Sequence, residues 1–247
     1  MRIKGLRFRY KSTKVIMSKK RILYVEDDES LGLLTADQLE DAGYDIQWLK
    51  SGTEAGGLKE FTSFDLVILD INLPGMNGFE LASKIRTHSE AIPILFLSAR
   101  SLSEDRIHGL QIGADDYMIK PFQIKELILK IQIFLKRKAI QKETDASEVL
   151  QIGYYTLDKK NLSLISSDGT MKRMTSKEAE LLNYFARHAN QLIKRSQLLI
   201  DVWGNDDYFL GRSMDVFISR LRKYLAADAR IKIEAIHGVG FQFICPE

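Results

Sequence analysis

The chain has 247 residues, 45% of them hydrophobic and 28% charged, with only 4 prolines and 16 glycines. That composition excludes a disordered or collagen-like chain, and the length allows one large domain or two ordinary ones of about 100–200 residues. The formal charge of +3 hints at a nucleic-acid partner, but eight of the 36 basic residues lie in residues 1–20, which hold no acid. Residues 21–140 are net −6 and residues 141–247 net +1, so bulk charge is no argument for DNA binding. One cysteine, Cys245, excludes an internal disulfide and suits a reducing compartment. No apolar run approaches the roughly 20 residues that cross a bilayer, and the basic tail lacks the apolar core of a signal peptide, so the sequence reads as cytoplasmic with no membrane partner.

Residues 1–18 read as a basic N-terminal tail without periodicity, for which Met17 is an alternative start. From residue 19 to 138 strand and helix patterns alternate. Short β-branched or apolar runs recur at residues 21–25, 44–48, 65–69, 93–97 and 117–119, the length of buried strands. Between them apolar residues fall at helical spacing, as at Leu31, Leu34 and Leu39, then Phe79, Leu81 and Ile85. The fold class is therefore α/β, a doubly wound five-stranded parallel sheet covered by helices on both faces.

Ligands of such sheets bind at the carboxyl ends of the strands. The first strand runs out into Glu26, Asp27 and Asp28, the third into Asp70 and Asn72, the fourth into Ser98 and the fifth into Lys120-Pro121. Neighbouring strands would gather several carboxylates in one crevice, where like charges repel unless a cation intervenes. Few hard oxygen ligands with room for a phosphate suit Mg²⁺. Strand ends are also polar simply because they are exposed, and Asp28 fits a helix N-cap better than a ligand.

Residues 139–148 lose apolar periodicity and read as a polar linker. From residue 149 to 247 the pattern changes. Leu150, Ile152, Tyr154, Leu162 and Leu164 alternate around a turn at residues 166–169, which predicts a small antiparallel sheet. Thr175 with Glu178 three residues later reads as a capping box opening a helix. A short helix over 196–202 breaks at Trp203-Gly204, and a loop at 205–211 leads into a basic helix over 212–225. Two short strands around Gly238-Val239-Gly240 form a hairpin. This order predicts an α+β winged helix-turn-helix domain, its basic helix suited to the major groove and its hairpin to a neighbouring minor groove. Along that helix Arg212, Ser213, Val216, Phe217 and Arg220 share one stripe by the i, i+3, i+4 rule. Phe217 is open to two readings, a thymine-methyl contact or core, and Asp215 fits a structural hydrogen bond because phosphates repel a carboxylate.

The run Val25-Glu26-Asp27-Asp28, then Leu69-Asp70, Leu73-Pro74, Gly78, Ser98-Ala99, Gly113-Ala114-Asp115-Asp116-Tyr117 and Lys120-Pro121-Phe122, resembles the receiver domain of two-component response regulators over residues 20–138. Residues 212–223 with Gly238-Val239-Gly240-Phe241 resemble the effector domain of the OmpR/PhoB subfamily over 149–247. The resemblance implies that Asp70 is the phosphoacceptor and that Glu26, Asp27, Asp70 and the backbone carbonyl of Asn72 hold Mg²⁺. It makes Lys120 the phosphoryl contact, Ser98 the switch hydroxyl, Tyr117 the switch aromatic and Lys120–Pro121 a cis bond. It implies a homodimer joined by Arg106 to Glu126 and Asp116 to Lys130. DNA contacts would come from Arg212, Ser213, Phe217, Arg220 and Arg222, with His237 on the wing. Its partners would be a cognate histidine kinase, double-stranded promoter DNA and, at 205–211, RNA polymerase. The sequence departs from the subfamily at Phe217, Ser219 and His237, where basic or polar residues are common, so fewer phosphate contacts are expected. The implied function is a phosphorylation-dependent transcriptional regulator that catalyses only its own phosphorylation and dephosphorylation. The competing class is a phosphatase or phosphotransferase using Asp70 as a turnover nucleophile, against which Asp70-Ile71-Asn72 lacks a second acid two residues on.

Overall fold

The computed structural model describes residues 19–99, 108–110, 112–143, 149–204 and 208–246. In the first domain β1 (Arg21–Val25), α1 (Glu29–Asp41), β2 (Asp45–Leu49), α2 (Gly52–Gly56), β3 (Leu66–Asp70), α3 (Gly78–His88), β4 (Ile94–Ser98), β5 (Asp116–Ile119) and α4 (Ile124–Glu143) follow in that order. The sheet is five-stranded with order β2-β1-β3-β4-β5, and each adjacent pair is parallel.

Alternate strand residues face opposite sides, so the sheet builds two cores. Leu23, Val25, Val67, Leu69 and Phe96 pack with Leu81, Ala82 and Ile85 of α3. Ile22, Tyr24, Ile68, Leu95 and Leu97 pack with Leu39 of α1 and Leu127 and Ile131 of α4. The helices are stopped and started by side chains. Asp28 is the N-cap of α1, accepting from the Ser30 and Leu31 amides, which is the role expected of it. Asn77 and Glu80 form a capping box on α3. Gly78 lets α3 begin against β3, since a Cβ there would come within 2.2 Å of the Asp70 carbonyl.

α4 continues to Glu143, so residues 139–143 belong to a helix and not to the expected linker. Ala139, Gln141, Lys142 and Glu143 are good helix formers, which carry a helix on where apolar spacing has ended.

The second domain opens with an antiparallel sheet, β6 (Val149–Ile152), β7 (Tyr155–Asp158), β8 (Ser163–Ser166) and β9 (Met171–Arg173), paired in chain order. Then come α5 (Ser176–Arg187), β10 (Leu192–Lys194), α6 (Arg195–Trp203), α7 (Tyr208–Tyr224), β11 (Lys232–Ile236) and β12 (Gly240–Ile244). The expected capping box is present, with Thr175 and Glu178 serving each other's backbone. α6 ends on Gly204 in the left-handed region (φ 88°), as Trp203-Gly204 predicts. β10, β12 and β11 form the hairpin sheet. α7 begins at Tyr208 and not at Arg212, so part of the expected 205–211 loop is helical.

The core of this domain gathers Leu157, Leu182, Phe185, Leu198, Val202, Met214, Phe217, Leu221 and Phe243. Phe217 is 0% exposed, with its ring 5.7 Å from that of Trp203. This decides between its two readings. It lies three residues after Met214 and four before Leu221, on the face those residues bury. Phe217→Ala should destabilise the domain by about 3–5 kcal/mol. Denaturant unfolding of wild type and variant checks this; an unchanged midpoint would return Phe217 to the surface.

Candidate functional site

The strand order decides what stands together. β1 and β3 are neighbours, with Val25 opposite Leu69 in the register, so the residues that follow them, Glu26 and Asp70, emerge side by side. Glu26 and Asp70 are 1% and 6% exposed, whereas Asp27 is exposed. One oxygen from each of the three lies within 4.8 Å of the others. Lys120, at the end of β5, reaches back over the edge and its Nζ lies 2.5 Å from Glu26 Oε2 and 2.5 Å from Asp70 Oδ2.

Backbone and neighbours hold these carboxylates in place. Asp70 Oδ1 accepts from the Asn72 amide at 3.0 Å, leaving Oδ2 to Lys120. Glu26 receives the Tyr24 hydroxyl and the Asp28 amide, each at 3.4 Å. Burial pushes the Glu26 carboxyl above its ordinary value, against the hydrogen bond and charge of Lys120. Burial works against the Lys120 ammonium, yet the hydrogen bonds and charges of Asp70 and Glu26 outweigh it and hold its pKa above the usual lysine value. Asp27 and Asn72 line one open cleft with Pro74 and Asn77. Three carboxylates around one ammonium keep a negative excess, and hard oxygen donors opening on a cleft suit a small divalent cation. Glu26, Asp27 and Asp70 are the acids whose oxygens come together there.

Ser98 closes β4, fully buried, and its carbonyl accepts from the Lys120 amide at 2.7 Å. Tyr117 is already buried, 4% exposed, its ring 6.4 Å from Phe96, so an inward swing from solvent is not available to it in this arrangement. Lys120–Pro121 is cis.

Sequence reasoning missed Trp48. Its indole N–H donates to the Glu26 carbonyl at 3.0 Å and its ring covers Gly32, where a Cβ would meet it at 2.3 Å. It anchors the acidic turn from behind. The only sequence sign was an aromatic at the end of the strand beside β1.

The expected dimer contacts are placed differently. Asp116 and Lys130 pair within the chain, Oδ2 to Nζ at 2.6 Å, with side chains 3% and 10% exposed. They sit on neighbouring β5 and α4, close enough to satisfy each other, so a pairing of Asp116 with Lys130 across a dimer must first break this buried pair. Glu126 is exposed, and Arg106 lies outside the described residues.

The expected DNA stripe is rotated from the solvent face of α7. Ser213 is 1% and Phe217 0% exposed, because both lie on the flank beside the core. Arg220 turns the same way. Its Nη1 pairs with Glu178 Oε1 at 2.7 Å, its Nη2 donates to the Leu110 carbonyl, and its side chain is 16% exposed. Among the described side chains of α7 the exposed ones are instead Asp215, Ser219, Arg222 and Lys223. The stripe that begins at Arg212, whose side chain lies outside the described residues, runs along the buried flank, and Asp215, Ser219, Arg222 and Lys223 form the solvent face. Arg222 fixes helix to hairpin through the Ile233 carbonyl at 2.9 and 2.6 Å. His237 and Arg222 line a cleft between α7 and the hairpin with Arg195, Asp215 and Val239. Asp215 is structural, as expected, holding Arg195 through two hydrogen bonds at 2.9 and 2.8 Å. Arg195, unmarked in sequence, thereby enters the cationic rim of this cleft.

A family profile described as response regulator receiver domain matches residues 22–132, and one described as transcriptional regulatory protein, C terminal, matches residues 169–243. The transcriptional regulatory protein RprY of Bacteroides fragilis is 42% identical over 231 residues, covering 93% of this chain and 96% of that protein. TrcR of Mycobacterium tuberculosis is 35% identical over 229 residues, covering 92% and 88%. Among solved structures a RitR mutant has a TM-score of 0.70 at 25% identity, covering 91% of this chain and 98% of that one.

Trp48→Phe keeps an aromatic against Gly32 but removes the donor to the Glu26 carbonyl. With one hydrogen bond worth about 0.5–1.5 kcal/mol, Mg²⁺ binding should weaken by roughly two- to tenfold. Calorimetric titration of the folded variant with Mg²⁺ measures it, and unchanged affinity would remove Trp48 from the site.

Proposed function

The chain belongs to the OmpR/PhoB family of response regulators, phosphorylation-dependent DNA-binding regulators of transcription, and we propose that Asp70 takes its phosphoryl group from the phosphohistidine of a partner kinase. The observation that carries this reading is the ammonium of Lys120 set 2.5 Å from both Glu26 and Asp70 at the carboxyl edge of the sheet.

A carboxylate attacking a phosphoryl group must overcome like charge, so the rate depends on neutralising the phosphoryl oxygens. Glu26, Asp27, Asp70 and the Asn72 carbonyl would hold Mg²⁺, which would supply part of that neutralisation. Lys120 supplies the rest once it exchanges Asp70 Oδ2 for a phosphoryl oxygen. The Asn72 amide orients the Asp70 carboxylate through Oδ1. An oxygen of Asp70 then bonds to phosphorus as the phosphorus–nitrogen bond to the kinase histidine breaks, giving an acyl phosphate. Its oxygens offer Ser98 a new acceptor, and drawing that hydroxyl towards Asp70 repacks the end of β4 beside Tyr117. The output is conformational: the domain acts on its own phosphoryl group and turns over no external substrate.

The second domain reads DNA. α7 presents Ser219, Arg222 and Lys223 to the major groove, and His237 with Val239 extends the hairpin towards the neighbouring minor groove. Phosphorylation favours a homodimer, which joins two weak half-site contacts into one bivalent event. Glu126 is free to serve that interface, whereas Asp116 and Lys130 serve it only after leaving each other. RNA polymerase meets the segment at 205–211. These partners place the protein in the cytoplasm.

Two experiments test the reading. Incubation with Mg²⁺ and a small acyl phosphate should label the chain with about one phosphoryl group, and Asp70→Asn should abolish the label; sustained release of phosphate from organic monoesters would instead make the protein a phosphatase. Lys223→Ala should weaken duplex DNA binding about equally on all sequences and lower the slope of log affinity against log salt by about one. An unchanged slope removes Lys223 from the phosphate contacts.

A further inference from the structure

Tyr24 carries a hydroxyl that packing does not explain. It lies on β1 two residues before Glu26, so the two side chains leave the strand on the same face. The residue is 0% exposed, among Ile22, Leu39 and Leu127 in the core beneath the acidic pocket. A phenyl ring alone would fill that space, and a buried hydroxyl is costly unless it is hydrogen-bonded. This one has two partners. It donates to Glu26 Oε2 at 3.4 Å, the same oxygen that meets Lys120. Its own oxygen takes the hydrogen bond of Thr35, a residue of α1 that is 3% exposed. One hydroxyl has one proton to give, so the chain of bonds runs from Thr35 through Tyr24 to Glu26. Burial and the charge of Glu26 push the Tyr24 hydroxyl far above its ordinary pKa, so it stays a donor.

We propose that Tyr24 is a positioning residue for phosphoryl transfer, its hydroxyl keeping hold of Glu26 while Lys120 leaves that acid for the phosphoryl group. This role rests on the reading of Asp70 as the phosphoacceptor.

In the present arrangement Lys120 Nζ stands 2.5 Å from Glu26 Oε2 and 2.5 Å from Asp70 Oδ2. Phosphorylation treats the two acids differently. An oxygen of Asp70 becomes bonded to phosphorus and the carboxylate gives up its charge, whereas Glu26 remains a carboxylate, 1% exposed, that has lost its charged donor. Leaving such a group unpaired is costly, so Glu26 competes with the phosphoryl oxygens for Lys120. Two donors lessen that competition because neither moves with Lys120: the Asp28 amide on Oε1 and the Tyr24 hydroxyl on Oε2. The amide belongs to the residue that caps α1 and is set by that turn. Tyr24 serves the oxygen that Lys120 vacates. A carboxylate fixed from below also keeps its place towards Mg²⁺, so the same contact bears on metal affinity.

The full chain tests this with Mg²⁺ and a small acyl phosphate as probes. Tyr24→Phe keeps the ring and removes the hydroxyl. Calorimetric titration without phosphodonor should show Mg²⁺ bound about two- to tenfold more weakly, the factor that one hydrogen bond is worth. At saturating Mg²⁺, where affinity no longer counts, the maximal labelling rate should still fall by about the same factor. Glu26→Asp shortens the acid by one carbon and draws it out of reach of the hydroxyl, so adding Tyr24→Phe to that variant should change neither reading further. Thr35→Val withdraws the donor to Tyr24 and weakens the next bond in the chain. It should shift both readings the same way by a smaller factor, and it stands in should Tyr24→Phe not fold. Unchanged readings in the folded variants overturn the proposal. A full labelling rate at saturating Mg²⁺ overturns the link to Lys120, and a loss that adds in full to Glu26→Asp is structural and overturns the hold on Glu26. A wild type that takes no label would instead overturn the phosphorylation of Asp70, with the Mg²⁺ titration still reading the Tyr24 contact.

Discussion

A parallel sheet buried on both faces leaves charge one place to go, its edges. β3 is buried along its whole length, so its acid Asp70 stands where the strand runs out, beside the acid that follows β1. Two largely buried carboxylates so close are tolerable only with a cation between them, and Lys120 is that cation in the present arrangement. The same constraint that makes the core thus makes the site. It also sets the chemistry, because the ammonium that quiets Asp70 is the group placed to meet the oxygens of an incoming phosphoryl group.

A second carboxylate plays the corresponding part in the effector domain. Glu178 Oε2 accepts from the Thr175 amide to close the start of α5, while Oε1 accepts from Arg220 and from the Tyr224 hydroxyl. One buried side chain therefore ties the capping of α5 to the orientation of α7. Burial and the charge of Glu178 push the Tyr224 hydroxyl well above its ordinary pKa, so it remains a donor to Glu178. Arg220, held from this side, is presented to Leu110 on the other.

Elements whose identity rests on local periodicity and capping were legible in the sequence: the five strands, the Thr175–Glu178 box, the stop at Gly204 and the hairpin around Gly238. So were the acids and Lys120, because strand ends are marked by where apolar runs stop. What was not legible depends on distant neighbours. Trp48 belongs to the site only because β2 lies beside β1. Asp116 and Lys130 satisfy each other across elements, which their sequence separation hides. Arg86, bound to Asp115 at 2.9 Å and to the Ile92 and Gly113 carbonyls, is a buried strut that nothing in its helix announces. The stripe on α7 failed for a different reason: the i, i+3, i+4 rule is met by several faces of a helix, and only packing chooses the one left to solvent.

Charge is divided unevenly between the two domains. Residues 21–140 carry net −6, while residues 141–247 carry only +1. The two domains touch through Arg220 at the Leu110 carbonyl and Ser176 at the Ala91 carbonyl, and charges act across such a contact within about one Debye length, roughly 8 Å at physiological salt. Arg222 and Lys223, exposed on α7, stand in a domain whose neighbour carries the opposite net charge. A nearly neutral effector therefore depends on where individual cations such as Arg222 and Lys223 stand, and not on bulk charge, to meet DNA phosphates.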